Sequence, residues 1–134
     1  MKLLLDSHIL LWLAWDKKEF LSPQAVDLLD DPNNELYFSL ASLWEMAIKS
    51  SLGKPDFEID VAALESGLID VGCRAVAIDV PHILKQAQLP FIHKDPFDRL
   101  LIAQAEVENL FFITADTMIL KYQKPYIIDA RKSL

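Results

Sequence analysis

Lys2-Leu3-Leu4-Leu5-Asp6-Ser7-His8-Ile9-Leu10-Leu11-Trp12 is the stretch on which the reading of the fold turns. Residues 2–5 form a short apolar run that stops at an acid, the pattern of a strand buried on both faces. Over residues 7–15 the apolar side chains Ile9, Leu10, Leu13 and Ala14 fall at helical spacing. A buried strand running at once into a helix, with a carboxylate at the joint, opens an α/β arrangement.

The same alternation continues outward. Ser22-Pro23 reads as an N-cap followed by proline at the first helical position, opening a helix to about Asp30. Asp31-Pro32-Asn33-Asn34 is a turn cluster, and Leu36 to Ser39 a second strand. Leu40 to Leu52 is helical and stops at Gly53. Lys54 to Ile59 reads as an irregular connection, and residues 60–71 as an amphipathic helix ending near Gly72. Arg74 to Ile78 is a third strand, and Asp79 or Val80 opens a helix to about Gln88. After a loop with Pro90, His93 and Lys94, Asp95-Pro96 starts a helix to about Glu108. Leu110 to Thr114 is the fourth strand, Asp116 to Tyr122 a short helix, and Tyr126 to Ile128 the fifth strand. The expectation is one domain over residues 1–134, a three-layer α/β/α sandwich around a central, mostly parallel five-stranded sheet.

Composition narrows the class. The chain has 134 residues, of which 52% are hydrophobic, enough for a packed core. Its single cysteine, Cys73, rules out an internal disulfide framework or cysteine-rich zinc site and points to a reducing cytoplasm. Asp6 and His8 interrupt the N-terminal apolar run too early for a signal peptide. No apolar run reaches the ~18 residues of a membrane span. Net charge is −7, from 13 basic and 20 acidic residues. A protein that binds nucleic acid by charge alone is basic; here bound cations would have to supply positive charge locally.

Four carboxylates are candidates to hold them. Asp6 ends strand one and Asp116 follows strand four, and sites in open α/β sheets form outside the carboxyl ends of strands. If those two strands are neighbours, both acids face one crevice. Glu45 and Asp98 lie in otherwise apolar helices, where an acid costs solvation unless it meets a cation or a donor. Two like charges about 4 Å apart repel by roughly 4 kcal/mol at an effective dielectric near 20, so such a cluster takes up protons or binds metal. An all-oxygen donor set suits Mg²⁺ or Mn²⁺, which can activate water for phosphodiester hydrolysis.

At these residues the chain resembles the PIN-domain ribonucleases, in particular VapC-type toxins of bacterial toxin–antitoxin pairs. The carrying motifs are Leu5-Asp6-Ser7-His8, Ser39-Leu40-Ala41-Ser42-Leu43-Trp44-Glu45, Asp95-Pro96-Phe97-Asp98-Arg99-Leu100 and Thr114-Ala115-Asp116. Each is weak alone; the four in this order cover nearly the whole chain. The resemblance implies an endoribonuclease using one or two Mg²⁺ or Mn²⁺ ions, a homodimer, and an antitoxin that covers the acidic pocket, often with a basic side chain. It assigns Asp6, Glu45, Asp98 and Asp116 as metal ligands or water-positioning groups, with Ser7 and Thr114 as supporting groups. The third motif holds two acids: spacing favours Asp98, and Asp95 can reach a metal through water.

Plainer readings stand beside these. Asp95 reads as an N-cap before Pro96, with Asp98 completing a capping box. Asp6 and Asp116 can cap the helices they precede, as can Asp79. Glu45 can pair with Lys49 at i+4. His8, His82 and His93 lack metal-ligand spacing and read as packed or exposed, although His8 is near enough to Asp6 to touch substrate. Trp12, Trp15 and Trp44 read as core or as contacts between copies rather than as base-stacking platforms. Most lysines read as solvated, with Lys94 and Arg99 placed to meet phosphates. Two other functions compete. A receiver-type phospho-acceptor domain would use Asp79 and Lys124 but leaves Glu45 and Asp98 unexplained, and a silent PIN-like binding module would not need four acids.

Overall fold

The computed structural model describes residues 1–53 and 58–132. In chain order the elements are β1 (Lys2–Leu5), α1 (Ser7–Ala14), a 3₁₀ turn (Lys18–Phe20), α2 (Pro23–Asp30), β2 (Glu35–Ser39), α3 (Leu40–Ser51), α4 (Val61–Asp70), β3 (Arg74–Val76), α5 (Val80–Gln88), α6 (Pro96–Val107), β4 (Phe111–Thr114), α7 (Thr117–Leu120) and β5 (Ile127–Asp129). Helix starts follow the capping chemistry. Ser22 Oγ accepts from the Ala25 amide, and Asp79 and His82 cap α5 reciprocally. Within the connection expected over Lys54 to Ile59, residues 54–57 lie outside the described residues.

The strands pair in the order β3-β2-β1-β4-β5, every pair parallel. The sheet is thus wholly parallel rather than mostly so. β3 stops at Val76, two residues short of the expected Ile78, because its partner β2 ends at Ser39, opposite Val76, where α3 begins. Similarly, α7 is shorter than expected, since Gln123 takes a positive φ and turns the chain toward β5. The 3₁₀ turn was not anticipated; it carries no periodic apolar signal.

Pleating sends alternate residues to opposite faces. On one face Leu3, Leu5, Phe38 and Ile113 pack against α1 to α4 through Leu10, Leu43, Met46 and Leu68. On the other, Leu4 and Phe112 pack against α6 and α7 through Leu101, Ile102 and Ile119. Leu3, Leu4 and Leu5 are 0% exposed, each burial worth about 1.5–3 kcal/mol. Two cores on one sheet make the three layers. Cys73 is buried in the first, its thiol pushed up to about 11 by that burial, and is inert.

The chain winds from β1 outward to β2 and β3, then returns to the other side of β1 with β4. Strand order therefore reverses between β1 and β4, and a crevice opens at their carboxyl ends. Asp6 and Asp116 stand there.

Candidate metal centre

Asp6 sits one residue past β1, its amide still donating to Ile113 O at 3.0 Å. Its carboxylate is buried. Oδ1 accepts from the Ser7 amide at 2.7 Å and Oδ2 from Thr114 Oγ1 at 2.7 Å. Thr114 Oγ1 in turn accepts from the Asp116 amide at 3.0 Å. One threonine hydroxyl therefore stitches the ends of β1 and β4 together. Burial holds the Asp6 carboxyl above its ordinary range, against the opposing hydrogen bonds from Thr114 and Ser7.

Glu45 projects from α3, buried, and meets both of its expected settings. Ser7 Oγ donates to Oε1 at 3.0 Å, and Lys49 Nζ lies 3.2 Å from Oε2. Ser42 Oγ is 3.0 Å from the Ser7 hydroxyl, fixing its direction. Asp116 caps α7, with Oδ1 accepting from Met118 and Ile119, and Oδ2 takes no part in the cap. A capping role and a place in the site are compatible here.

The two acids of the third motif both line the pocket but sit in different settings. Asp95 is the N-cap of α6, its Oδ1 accepting from Phe97 and Asp98 amides at 2.8 and 3.2 Å. Asp98 does not complete a capping box: the Asp95 amide donates instead to His93 Nδ1 at 3.2 Å. Asp98 is buried and sits at the junction of two clusters, Glu45–Asp95–Asp98 and His93–Asp98–Asp116. Within each cluster the donor atoms lie within 4.8 Å of one another. Burial, then the charges of Asp6, Asp95, Glu45 and Asp116, push its carboxyl up to about 8.

His93 is the residue that the reading of the sequence missed. Its Nε2 is 2.8 Å from Asp98 Oδ2 and 3.7 Å from Asp116 Oδ1. The approach is close but off the line of a good hydrogen bond, so Nε2 is a buried polar atom without an aligned partner. Because Nδ1 accepts from Asp95, a neutral ring carries its proton on Nε2, facing the carboxylates. Histidine-to-histidine spacing gave no signal, since the partners are aspartates. The usable hint was its place just ahead of the Asp95 cap.

Arg99 is a correction. Offered to phosphate on sequence grounds, it is buried, donating to Pro90 O at 3.0 Å and Gln86 O at 3.1 Å, with its guanidinium 4.8 Å over the Phe91 ring. Those partners occupy it, and it does not line the pocket. Lys94 is exposed and also lies off the lining. Asp79 serves as the α5 cap, and neither it nor Lys124 reaches the acids, which removes the basis for a receiver-type site. Trp44 is 57% exposed and packs edge-on to Phe97, and Trp15 is 51% exposed, so neither is core.

The pocket, about 170 Å³, is lined by Asp6, Ser7, His8, Glu45, Lys49, His93, Asp95, Asp98 and Asp116. Carboxylates crowded into one pocket until Asp98 holds its proton up to about 8 form an oxygen donor set that fits a hard divalent cation.

This α/β fold, with its acidic crevice at the switch of strand order, matches the family model for the PIN domain over residues 3–125. The chain belongs to the PIN domain family. Its fold is similar to that of VapBC2 from Rickettsia felis, solved with a promoter DNA fragment. The TM-score is 0.65 at 17% identity, covering 98% of each chain. It is also similar to a toxin–antitoxin complex from Klebsiella pneumoniae (TM-score 0.64, 17% identity, 97% and 98% covered). A third similar structure is VapBC-1 from nontypeable Haemophilus influenzae (TM-score 0.64, 20% identity, 96% and 98% covered). Among curated protein sequences none matches this chain. No helix among the described residues is long and apolar enough to cross a membrane.

Proposed function

We propose that this chain is a divalent-cation-dependent endoribonuclease, using Mg²⁺ or Mn²⁺, and the toxin of a toxin–antitoxin pair. The observation that carries the reading is the environment of Asp98, where burial, and then the charges of four neighbouring carboxylates, push the carboxyl up to about 8. Such an arrangement costs stability and is sustained by a ligand that repays it. Asp6, Glu45, Asp98 and Asp116 are the residues that would hold the cation, with Asp95 reaching it through water. A bound divalent cation supplies there the charge neutralisation and water activation that phosphodiester hydrolysis requires. The chain's own groups fix the acids: Ser7 orients Glu45, Thr114 orients Asp6, and His93 presents a proton to Asp98 and Asp116.

The toxin role rests on the named complexes of similar fold. An antitoxin presenting a basic side chain to this pocket would neutralise the acids in the cation's place. A homodimer is part of the proposal. Leu40, Trp44 and Ile48 on α3, continued by Leu52 at its C-cap, form an exposed stripe at i+4 spacing, and Val80, Ile83 and Leu84 lie exposed on α5.

The deciding experiment is a cleavage assay on structured RNA with Mg²⁺ or Mn²⁺, comparing the wild type with Asp6→Asn. The wild type cuts only with the cation present. The variant loses more than the roughly 10–100-fold that removal of an outer partner costs. An inert wild type, or a variant of equal activity, refutes the mechanism.

A further inference from the structure

Beside the acidic pocket lies a second cleft, of about 380 Å³, between α1 and the start of α7. We infer that it seats a base of the RNA strand next to the cut phosphate; the inference rests on the ribonuclease reading above. The two cavities are continuous in their walls, because His8 and Asp116 line both. A nucleotide adjoining a phosphate held by the acids therefore has this cleft at its side. The volume falls within the range of about 300–1,000 Å³ common to small-molecule sites.

The α1 wall is aromatic. His8, exposed, and Trp12, half-buried against the first core, have ring centroids 6.1 Å apart and tilted by 42°. Phe20 follows at 5.5 Å from Trp12, tilted by 32°. The row leads away from the acids, and packing fixes Trp12 in place before any ligand arrives. Opposite stand Met118 and Thr117, the latter exposed with a hydroxyl able to give or accept a hydrogen bond at a base edge. Splayed bases of single-stranded RNA are recognised by stacking on such side chains combined with edge hydrogen bonds. Stacking also suits a chain of net charge −7, which has little cationic attraction to offer a strand.

The test cleaves a random-sequence RNA pool with Mn²⁺, sequences the cut ends, and separates KM from kcat for the wild type, Trp12→Leu, His8→Ala and Trp15→Ala. Paramagnetic Mn²⁺ titration of each variant reports whether the acidic pocket survives. Trp12→Leu raises KM by about 5- to 150-fold, the effect of losing one stacked base, and flattens base preference at one position beside the cut. His8→Ala does the same toward the lower end, while both retain Mn²⁺ binding. Trp15→Ala, exposed and outside the cleft, matches the wild type. If Trp12→Leu fails to fold, His8→Ala at its exposed position decides alone. Unchanged KM and cut ends with Mn²⁺ binding intact overturn the subsite and leave the ribonuclease standing. A wild type that cuts no RNA overturns both. Variants that cut normally but no longer bind antitoxin assign the cleft to a protein partner and overturn the base.

Discussion

Burial and four neighbouring carboxylates hold Asp98 at about 8, against an ordinary aspartate value of 3.8 in the unfolded chain. Between those values the folded, metal-free protein binds the extra proton, so its stability is greatest at the acid end and is lost as pH rises toward about 8. The slope reaches at most about 1.4 kcal/mol per pH unit. Urea denaturation in a chelator across that range shows the decline, and Asp98→Asn makes it shallower while abolishing cleavage. A second residue-scale expectation concerns Thr114, which donates to Asp6 and accepts from the Asp116 amide. Thr114→Val keeps the shape, leaves Asp6 short of a donor, and costs about 1–3 kcal/mol on denaturation. At this scale the four main acids were legible, because an acid at a strand end or on an apolar helix stands out against its surroundings. His93 and Arg99 were not. What each side chain does is decided by a loop that folds back on α6, and nothing local in the sequence states where that loop goes.

That loop, residues 89–95, brings His93 to the acids and is held from two sides, by Arg99 and by Tyr122. Arg99 on α6 donates to Pro90 O and Gln86 O, and Tyr122 Oη accepts from the His93 amide at 3.0 Å. Arg99→Met takes the donor from two part-buried carbonyls, Pro90 O and Gln86 O, with a stability loss of about 1–3 kcal/mol. It also weakens Mn²⁺ binding in titration by releasing His93. The salt dependence of RNA cleavage stays unchanged, because no phosphate contact is removed. Ser22→Ala, by contrast, removes only the α2 cap, costing about 1 kcal/mol in a thermal melt and sparing activity. Elements whose ends are written in local chemistry were readable: Ser22-Pro23 and Asp95-Pro96 each mark a helix start. Elements whose ends depend on a partner were not. β3 is as long as β2 allows, and no feature of Ala77 or Ile78 reveals that.

At the scale of the molecule, the layering was evident from alternating apolar runs, whereas the strand order was not. The adjacency of β1 and β4 is a pairing across most of the chain, and the apolar runs that pair carry no label of their neighbours. The exposed α3 stripe leads to an expectation for the assembled protein. Under the proposed homodimer, Trp44→Glu in that stripe gives a monomer in sedimentation where the wild type sediments as a dimer, while the fold, read by circular dichroism, persists; a wild type that sediments as a monomer removes the dimer from the proposal. The hydrogen bond from Thr114 to Asp6 joins residues 108 positions apart. During synthesis, Asp6 and Glu45 emerge before β4 and Asp116, so the crevice stays open on one side until those later residues arrive. Under the proposed activity, a nascent chain is harmless to the messenger that encodes it until β4 and Asp116 have left the ribosome. The delay is set by the order in which the ribosome delivers β1 and β4, with no inhibitor needed.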